Sequence, residues 1–381
     1  MITMKQNIIT IENNYQELDV FFLNNGIKTV MLVCGSSYKR LNISKYFEDV
    51  TIRLGINIVF FSNFQPNPEY ESVVQGVSLF NEKECDAIIA VGGGSAMDVA
   101  KCIKLFATMD SNESYLKQAI VPNDIKYLAI PTTAGTGSEA TRYAVIYHKG
   151  EKQSITDSSC IPSTVVFDIS ALKSLPEYQK KVTMLDALCH SLESFWSVNS
   201  TDESKEYSGK ALKLILEYFE SYISNEDIGN EKMLLASNYA GKAINITQTT
   251  AGHAMCYTLT SMYKIPHGHA VALCVKVLWK YMVNHTSLCI DSRGKEYLDS
   301  VFLDIAKSMN CKTVEDSIEK YNYILERLNL STPDIMSSED FNILKSSVNI
   351  ERLNNNPVKL TEDVLEMLYH QILDKKEVIC K

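Results

Sequence analysis

One carboxylate and three imidazoles are spaced in this sequence as metal ligands can be. Asp186 and His190 stand four residues apart in TMLDALCHSLES, which places both on one face of a predicted helix. His253 and His267 follow in two further helix-like runs, and Pro266 predicts an irregular turn between them. One Asp and three His form a donor set that suits Fe²⁺, Zn²⁺ or Mn²⁺. The alternative is an intrahelical Asp–His hydrogen bond with histidines of the core or surface. We expect the neighbouring thiols of Cys189 and Cys256 to lie off the ligand face.

Two turns rich in small residues could bind a nucleotide. In AIIAVGGGSAMDVAK, an apolar run leads through GGGS into a helix that we expect to begin near Ala96, where free N–H groups can bind an anion. This turn matches neither GxGxxG nor a P-loop, so alone it could equally be a tight structural turn. A second turn, IPTTAGTGSEATR, adds hydroxyl groups that can hydrogen-bond phosphate, ribose or amide. Two such loops at the ends of parallel strands favour a dinucleotide.

The elements that must position these residues differ between the two halves of the chain. Five short runs rich in Val and Ile predict strands at residues 29–35, 56–62, 86–95, 126–134 and 163–168. Helix-like stretches between them favour a parallel sheet covered on both faces. After about residue 175 the apolar spacing is helical. We therefore predict a Rossmann-like α/β dinucleotide-binding domain over residues 1–175 and an all-helical metal-binding domain over residues 176–381.

The composition limits the class of protein. The 381 residues are 45% apolar and 22% charged, with a net charge of −9 and no basic stripe. This is typical of a soluble globular protein of about two domains, and it makes nucleic acid and anionic membranes poor partners. We find neither a signal peptide nor an apolar run that could span a bilayer. The ten cysteines are scattered without a CxxC, which indicates reduced, buried thiols in a cytoplasmic protein.

The end of the first predicted strand bears on the choice of dinucleotide. It reads CGSS over residues 34–37, without an acidic residue, and Lys39 and Arg40 follow. Dehydrogenases that select NAD commonly place an acidic residue there to bind the ribose 2′-hydroxyl. The sequence therefore favours NADP over NAD, unless the two cations simply form a solvated helix face.

Taken together, these motifs resemble the iron-containing (group III) alcohol dehydrogenases. The shared features are GGGS with an Asp downstream, PTTAGTGSE, DALxHxxE, and a GH pair followed by PHG, in the family's order and over most of the chain. The resemblance implies an N-terminal α/β domain that binds NAD(P), a C-terminal helical domain, and a homodimer or larger assembly. It implies four metal ligands: Asp186, His190, His253 and His267.

The resemblance also implies a set of cofactor contacts and a mechanism. The metal is expected to act as a Lewis acid on a substrate oxygen while hydride moves between the substrate and the nicotinamide. The pyrophosphate would meet the first glycine turn, and the ribose and nicotinamide would meet the second. The full set of expected contacts is Gly35, Ser36, Asn67, Gly93, Gly94, Ser95, Asp98, Thr132, Thr133, Thr136, Ser138 and Lys152.

Two departures from the family pattern concern catalysis and substrate. Many members carry a second histidine in an HxxxH motif, and here that position is Tyr257, so Tyr257 or His269 is expected to take over its proton relay. His269 is otherwise expected to lie beside the ligands or to face the substrate. Arg142 stands where many members have an uncharged residue, and its guanidinium would form a fork for an anionic substrate group. The alternative for Arg142 is an ion pair with Glu139 or Glu151.

The runs TRYAVIY and TAGHAMCYTLTSMYKIPHGHA, which contain these positions, make the chain most similar to the phosphonoacetaldehyde reductase branch of the family. That similarity implies NAD(P)H-linked reduction of a small aldehyde that carries a phosphonate, with 2-hydroxyethylphosphonate as the product. A general short-chain alcohol or diol dehydrogenase is the nearest alternative. A dehydroquinate-synthase-like lyase is more distant, because its lysine and arginine set is not evident. A non-catalytic binding protein is disfavoured, because both glycine-rich loops and all four ligands are present.

Overall fold

A computed structural model describes residues 6–11, 14–334, 337, 339–349 and 353–373. The chain divides into two compact units, Met1–Glu177 with Glu220–Leu234, and Tyr178–Phe219 with Leu235–Lys381. The first is called the α/β unit below and the second the helical unit. Within the described ranges, every helix is too short or too polar to cross a membrane.

A parallel sheet forms the centre of the α/β unit. The strands in the described part of the chain are β1 (Asn7–Ile11), β2 (Thr29–Cys34), β3 (Asn57–Phe61), β4 (Ala87–Gly92), β5 (Lys126–Pro131), β6 (Tyr143–His148), β7 (Glu151–Thr156) and β8 (Thr164–Asp168). Six of them are parallel, in the order β1-β8-β5-β4-β2-β3, while β6 and β7 pair as an antiparallel hairpin. The predicted parallel sheet is confirmed. The sequence patterns did not predict β1 or the hairpin, whose residues are mostly half-buried or exposed.

Helices cover both faces of this sheet. They are α1 (Glu17–Asn25), α2 (Ile43–Leu54), α3 (Tyr70–Glu82), α4 (Gly94–Phe106) and α5 (Ile169–Lys173). Along β2, Met31 and Val33 point into a cluster with α3 and α4, whereas Val30 and Leu32 join a second cluster with α1 and α2. The central strands are apolar throughout because both of their faces are buried.

The strand order reverses between β2 and β4. From β2 the chain adds β3 on one side of the sheet, and it then returns to add β4 and β5 on the other. In open α/β sheets, ligands bind beyond the carboxyl ends of the strands at such a point. Gly35 and Gly93 follow these two strand ends, so the topology places the CGSS strand end and the GGGS turn at the expected position.

The remainder of the described chain is helical. The helices are α6 (Glu177–Trp196), α7 (Asp202–Ile223), α8 (Asp227–Thr247), α9 (Ala251–Tyr263), α10 (His267–Asn284), α11 (Lys295–Ser308), α12 (Val314–Leu328), α13 (Asp340–Ser346) and α14 (Glu362–Leu373). This confirms the predicted helical second half. The nine described cysteines are thiols that are not joined in disulfides, seven of them buried, and Cys380 lies outside the described residues.

Candidate metal and cofactor sites

Three of the four predicted ligands converge in the helical unit. Oδ1 of Asp186 lies 3.3 Å from Nε2 of His253 and 3.8 Å from Nε2 of His267, and one donor atom from each residue lies within 4.8 Å of the others. Two ligands of one tetrahedral ion are roughly 3 to 3.5 Å apart, because each bond to the metal is about 2.0–2.2 Å long. The oxygen and nitrogen donors therefore fit a single Fe²⁺, Zn²⁺ or Mn²⁺. These three residues are called the donor cluster below.

His190 flanks the donor cluster. Its Nε2 lies 3.8 Å from Oδ1 of Asp186, one helical turn earlier on α6. Its ring stacks on that of His253, with the ring centroids 4.5 Å apart and the planes 10° from parallel. The expectation that Asp186 and His190 share one helix face is thereby confirmed.

Two glycines allow α6 to approach the helices that carry the other histidines. A Cβ at Gly268, beside His267, would lie 1.9 Å from the carbonyl oxygen of Val182. A Cβ at Gly252, beside His253, would lie 2.9 Å from Oε1 of Glu193. The glycines of GH and PHG are therefore needed for close packing against α6, which brings the donor cluster together.

Burial and charge act in opposite directions on the pKa values in the donor cluster. Burial raises the pKa of the Asp186 carboxyl, but the charge on His190 and the hydrogen bond from His253 outweigh it, so this pKa lies below its usual range. Burial lowers the pKa of His253, yet the charge on Glu193 and the hydrogen bond to Asp186 raise it to about 9. A metal that binds at neutral pH must therefore displace a proton from His253.

His267 forms the accessible end of the donor cluster. Its side chain is 38% exposed, against 5% for Asp186 and 2% for His253. Tyr257, one turn after His253 on α9, stacks on the His267 ring at a centroid distance of 5.6 Å. Tyr257 thus lies beside the most exposed member of the donor cluster.

The two thiols next to the predicted ligands have different neighbours in the helical unit. Cys189 does lie off the ligand face, with its Sγ 3.4 Å from the Tyr321 hydroxyl. Cys256 lies beside His267, with its Sγ 3.4 Å from Nδ1 of that ring rather than from the Nε2 that faces Asp186, and it is not a member of the donor cluster. Cys256 follows His253 by three residues on α9, so it shares that helix face and meets the first residue of α10.

The structure does not bring His269 into the donor cluster. His269 follows His267 by two residues on α10, which turns it about 200° around the helix axis. It is 2% exposed, and its Nδ1 lies 3.1 Å from the Tyr178 hydroxyl. Burial lowers its pKa. His269 therefore packs from α10 against Tyr178, which lies at the start of α6.

The two glycine-rich turns lie side by side in the α/β unit. β4 and β5 are paired up to Gly92 and Pro131. A Cβ at Gly93 would lie 3.1 Å from Oγ1 of Thr133, and one at Gly94 would lie 3.2 Å from Cγ2 of Thr136. α4 begins at Gly94, so the expected start near Ala96 is two residues late, because Gly93 is the last extended residue. The free N–H groups of α4 therefore open beside the threonines.

Asp98 and Ser138, which follow the first glycines of these turns, are hydrogen-bonded to each other. Oγ of Ser138 donates to Oδ1 of Asp98 at 2.9 Å, and the Val145 backbone N–H donates to Oδ2 at 3.1 Å. Lys101 is fully buried and donates to Ser138 Oγ at 3.0 Å and to the Thr141 carbonyl at 2.9 Å. Lys101 is not predicted from the sequence, although an Asp and a Lys three residues apart on a helix share one face.

The other expected cofactor contacts differ in accessibility. Five lie at the paired turns and are half-buried: Gly93, Gly94, Ser95, Thr133 and Thr136. Thr132 is 8% exposed, and its backbone N–H donates to the Gly92 carbonyl. Lys152 is half-buried on β7. The first five therefore have the surface that a bound dinucleotide needs.

Beyond β2, Gly35 begins a short 3₁₀ helix in which Ser36, Lys39 and Arg40 are exposed. No described atom lies within 4 Å of a Cβ placed at Gly35, so this strand end is open. Asn67 is exposed between two prolines and has a φ of 59°, a left-handed conformation that Asn tolerates. These positions lie at the surface of the α/β unit.

Arg142 lies directly before β6 and is half-buried. Its guanidinium donates to the Tyr143 hydroxyl at 2.9 Å and lies 5.1 Å from the centroid of that ring. The contact with the Tyr143 ring restricts the motion of the Arg142 guanidinium, and part of the Arg142 side chain stays exposed.

Comparison with protein families agrees with the geometry of both sites. The family model described as iron-containing alcohol dehydrogenase matches residues 6–169. The model for the C-terminal part of the Fe-containing alcohol dehydrogenase family matches residues 180–373. The chain therefore belongs to the iron-containing alcohol dehydrogenase family, a family of oxidoreductases, and the resemblance seen in the sequence motifs is confirmed at this level.

Individual relatives cover the chain to different extents. Alcohol dehydrogenase 4 of Saccharomyces cerevisiae is 28% identical over 371 residues, which are 92% of this chain and 93% of that protein. The aldehyde-alcohol dehydrogenase of Streptococcus pneumoniae is 29% identical over 320 residues, 77% of this chain, and the match spans 36% of that longer protein. The crystal structure of sulfoacetaldehyde reductase from Bifidobacterium kashiwanohense in complex with NAD⁺ has a TM-score of 0.85 at 24% identity and covers 97% of each chain. It shares the fold.

Proposed function

We propose that this chain is a metal-dependent aldehyde reductase that takes hydride from a reduced nicotinamide dinucleotide. The observation that carries the proposal is the donor cluster, in which Asp186, His253 and His267 offer donor atoms within 4.8 Å of one another. Membership of the iron-containing family and the two adjacent anion-binding turns support it. These residues and His190 would hold a divalent ion, which would supply a Lewis acid for a carbonyl oxygen.

The chain's own residues position the reactants. Asp186 and His253 are almost fully buried on packed helices, which makes their geometry rigid, while the 38% exposed side chain of His267 leaves a path for a small aldehyde. A bound reduced nicotinamide would supply the hydride for the carbonyl carbon, and the oxygen would need a proton to give a primary alcohol. We assign delivery of that proton to the hydroxyl of Tyr257, because its ring stacks on His267. His269 is instead assigned to packing.

We further propose that the aldehyde carries a phosphonate, so that phosphonoacetaldehyde is reduced to 2-hydroxyethylphosphonate. Support comes from Arg142, the last residue of the threonine-rich turn, which is half-buried. A guanidinium can bind two oxygens of a phosphonate at once, and the neighbouring Tyr143 ring restricts its motion. A neutral short-chain alcohol or diol is the alternative substrate of the same chemistry.

NADPH is the proposed dinucleotide. Lys39 and Arg40 are exposed directly after β2, where a 2′-phosphate would need a cation. A homodimer or larger assembly, the domain boundary near residue 175 and a cytoplasmic location stay predictions.

The experiment follows the absorbance of the reduced nicotinamide with Fe²⁺-loaded protein and a panel of aldehydes. The panel contains phosphonoacetaldehyde, propanal and sulfoacetaldehyde, after which the structural relative is named. We expect aldehyde-dependent oxidation of NADPH, fastest with phosphonoacetaldehyde. Absence of turnover with every aldehyde would contradict the reductase, whereas preference for propanal would contradict only the phosphonate.

The ligand assignment has a separate test. We expect His267→Ala to lose the bound metal, because it removes one of three clustered donors. His285→Ala is the matched control, since His285 follows the end of α10 and its Nδ1 contacts the Tyr281 carbonyl at 2.8 Å. Metal analysis after gel filtration distinguishes the two, and one metal per chain in both variants would show the assignment to be wrong.

A further inference from the structure

We propose that Glu193 is the positioning residue for the metal ligand His253, and that Thr250 and Trp196 fix Glu193 in the one hydrogen-bonding state that this role requires. The proposal rests on the proposed function of the donor cluster. Trp196, Thr250 and Glu193 form a buried chain of hydrogen bonds in the helical unit that ends on His253.

Glu193 is fully buried and follows Asp186 by two helical turns on α6. Its Oε2 contacts Nδ1 of His253, while its Oε1 accepts from the Thr250 hydroxyl at 2.6 Å. The backbone N–H groups of Thr250 and His253 also point at Oε1, at 3.2 and 3.3 Å. One carboxylate therefore holds both the ring of His253 and the backbone at the start of α9.

Trp196 determines the direction of these hydrogen bonds. An indole N–H can only donate, and Nε1 of Trp196 lies 3.0 Å from Oγ1 of Thr250. The hydroxyl of Thr250 thus accepts from Trp196 and has its own proton left to donate to Glu193. Every described partner of the Glu193 carboxylate, including two backbone N–H groups, is then a donor.

The tautomer of His253 follows from this direction. Because Glu193 only accepts, Nδ1 of His253 must carry the proton that joins them. When the ring is neutral, Nε2 then has its lone pair free, and this atom is the one that lies 3.3 Å from Oδ1 of Asp186. A histidine ligand needs that arrangement, and a carboxylate on its second nitrogen maintains it.

The burial around Glu193 makes its carboxylate difficult to replace as a hydrogen-bond acceptor. His253 is 2% exposed and Thr250 is fully buried, so water cannot easily replace a lost acceptor. Gly252 makes room for Glu193, since a Cβ there would lie 2.9 Å from its Oε1. A glutamine side chain at position 193 has nearly the same shape. Its NH₂ group, however, would face either the hydroxyl donor of Thr250 or the N–H donor of His253. In Glu193→Gln, His253 can relieve this conflict by moving its proton to Nε2, which blocks the metal-binding nitrogen.

The test measures Co²⁺ binding to the metal-free full-length protein, by its visible absorption and by competition with a chelator. We expect Glu193→Gln to bind Co²⁺ about 10- to 100-fold more weakly than the wild type. Thr250→Val keeps the shape and removes the hydroxyl, so a smaller loss and a changed Co²⁺ spectrum are expected. Asp291→Asn is the matched control, because Asp291 is a buried carboxylate of the same unit that binds Arg293.

Thermal unfolding of each metal-free variant separates ligand positioning from stability. The proposal is supported if Glu193→Gln loses Co²⁺ affinity while Asp291→Asn, at a similar loss of stability, does not. Wild-type affinity and spectrum in Glu193→Gln would overturn it, and so would equal losses in both variants. Should Glu193→Gln fail to fold, Thr250→Val decides, with an unchanged spectrum and affinity counting against the proposal. A wild-type protein that binds no Co²⁺ would instead overturn the proposed metal function itself.

Discussion

The ammonium of Lys101 lies 3.0 Å from the hydroxyl of Ser138, although 37 residues separate them in the chain. Lys101 belongs to α4, which begins at the GGGS turn, and Ser138 belongs to the threonine-rich turn. The helix whose N-terminus is offered to the cofactor therefore also holds the second turn. Both halves of the proposed dinucleotide site depend on this one buried cation.

Replacement of Lys101 by Met should weaken dinucleotide binding. The side chain donates to Ser138, Thr141 and the Tyr143 carbonyl, and its loss leaves buried acceptors without a donor. We expect the Kd for NADPH, measured by fluorescence titration, to rise about tenfold or more, roughly 1.4 kcal/mol. Lys104→Met is the control, because Lys104 is also buried on α4 but bonds to Asn123. Equal Kd values in the two variants would contradict this role of Lys101.

Replacement of Gly268 by Ala should disrupt the donor cluster. The added Cβ would meet the Val182 carbonyl at 1.9 Å, so α10 must move away from α6. We expect the free energy of unfolding to fall by about 1–3 kcal/mol or more, together with weaker metal binding. Gly209→Ala on α7 is the control, since the nearest atom to its Cβ is 3.6 Å away, and it should stabilise the helix by about 0.5–1 kcal/mol. Urea titrations of both variants measure the free energy of unfolding. Equal values for Gly268→Ala and Gly209→Ala would contradict the prediction.

Replacement of Arg142 by Ala should change KM for a phosphonate-bearing aldehyde more than KM for a neutral one. If the guanidinium binds the phosphonate, KM for phosphonoacetaldehyde should rise about tenfold or more, while KM for propanal should change little. Arg142→Lys keeps the charge without the planar fork and should fall between the wild type and Arg142→Ala. Steady-state kinetics with both aldehydes measure the difference. The same change in KM for the two substrates would remove Arg142 from the substrate site.

Cys160 should make stability depend on alkaline pH. Burial raises the pKa of its thiol to about 11, whereas an unfolded cysteine ionises near about 8.5. The unfolded chain therefore loses its thiol proton first, and the stability contributed by the protonated thiol is lost as pH rises from about 8.5 to about 11. Cys160→Ala lacks this loss, so the stability gap between the wild type and Cys160→Ala should narrow by up to about 1.4 kcal/mol per pH unit in this window. Denaturant titrations from pH 7 to pH 10.5 measure the gap, and a gap that is constant with pH would contradict the expectation.

Much of the fold was predictable because its signals are local. The central strands are buried on both faces, so each reads as an apolar run, and the helices of the second half repeat their apolar residues every three to four positions. Asp186 and His190 could be paired for the same reason, since one helical turn separates them. The strands β1, β6 and β7 were missed because their exposed or half-buried residues lack this signal.

Local spacing also accounts for the prediction of the metal donors and of the two glycine-rich turns. It could not show that His269 points away from His267 while Cys256 contacts it, because that depends on where α10 begins and how it packs on α9. Nor could it show that Trp196, Thr250 and Glu193 form one chain of hydrogen bonds leading to His253. The sequence alone sets which groups are available and which of them share a helix turn. Contacts between residues tens of positions apart arise only when the helices pack, and they decide which nitrogen of His253 faces Glu193 and which faces Asp186.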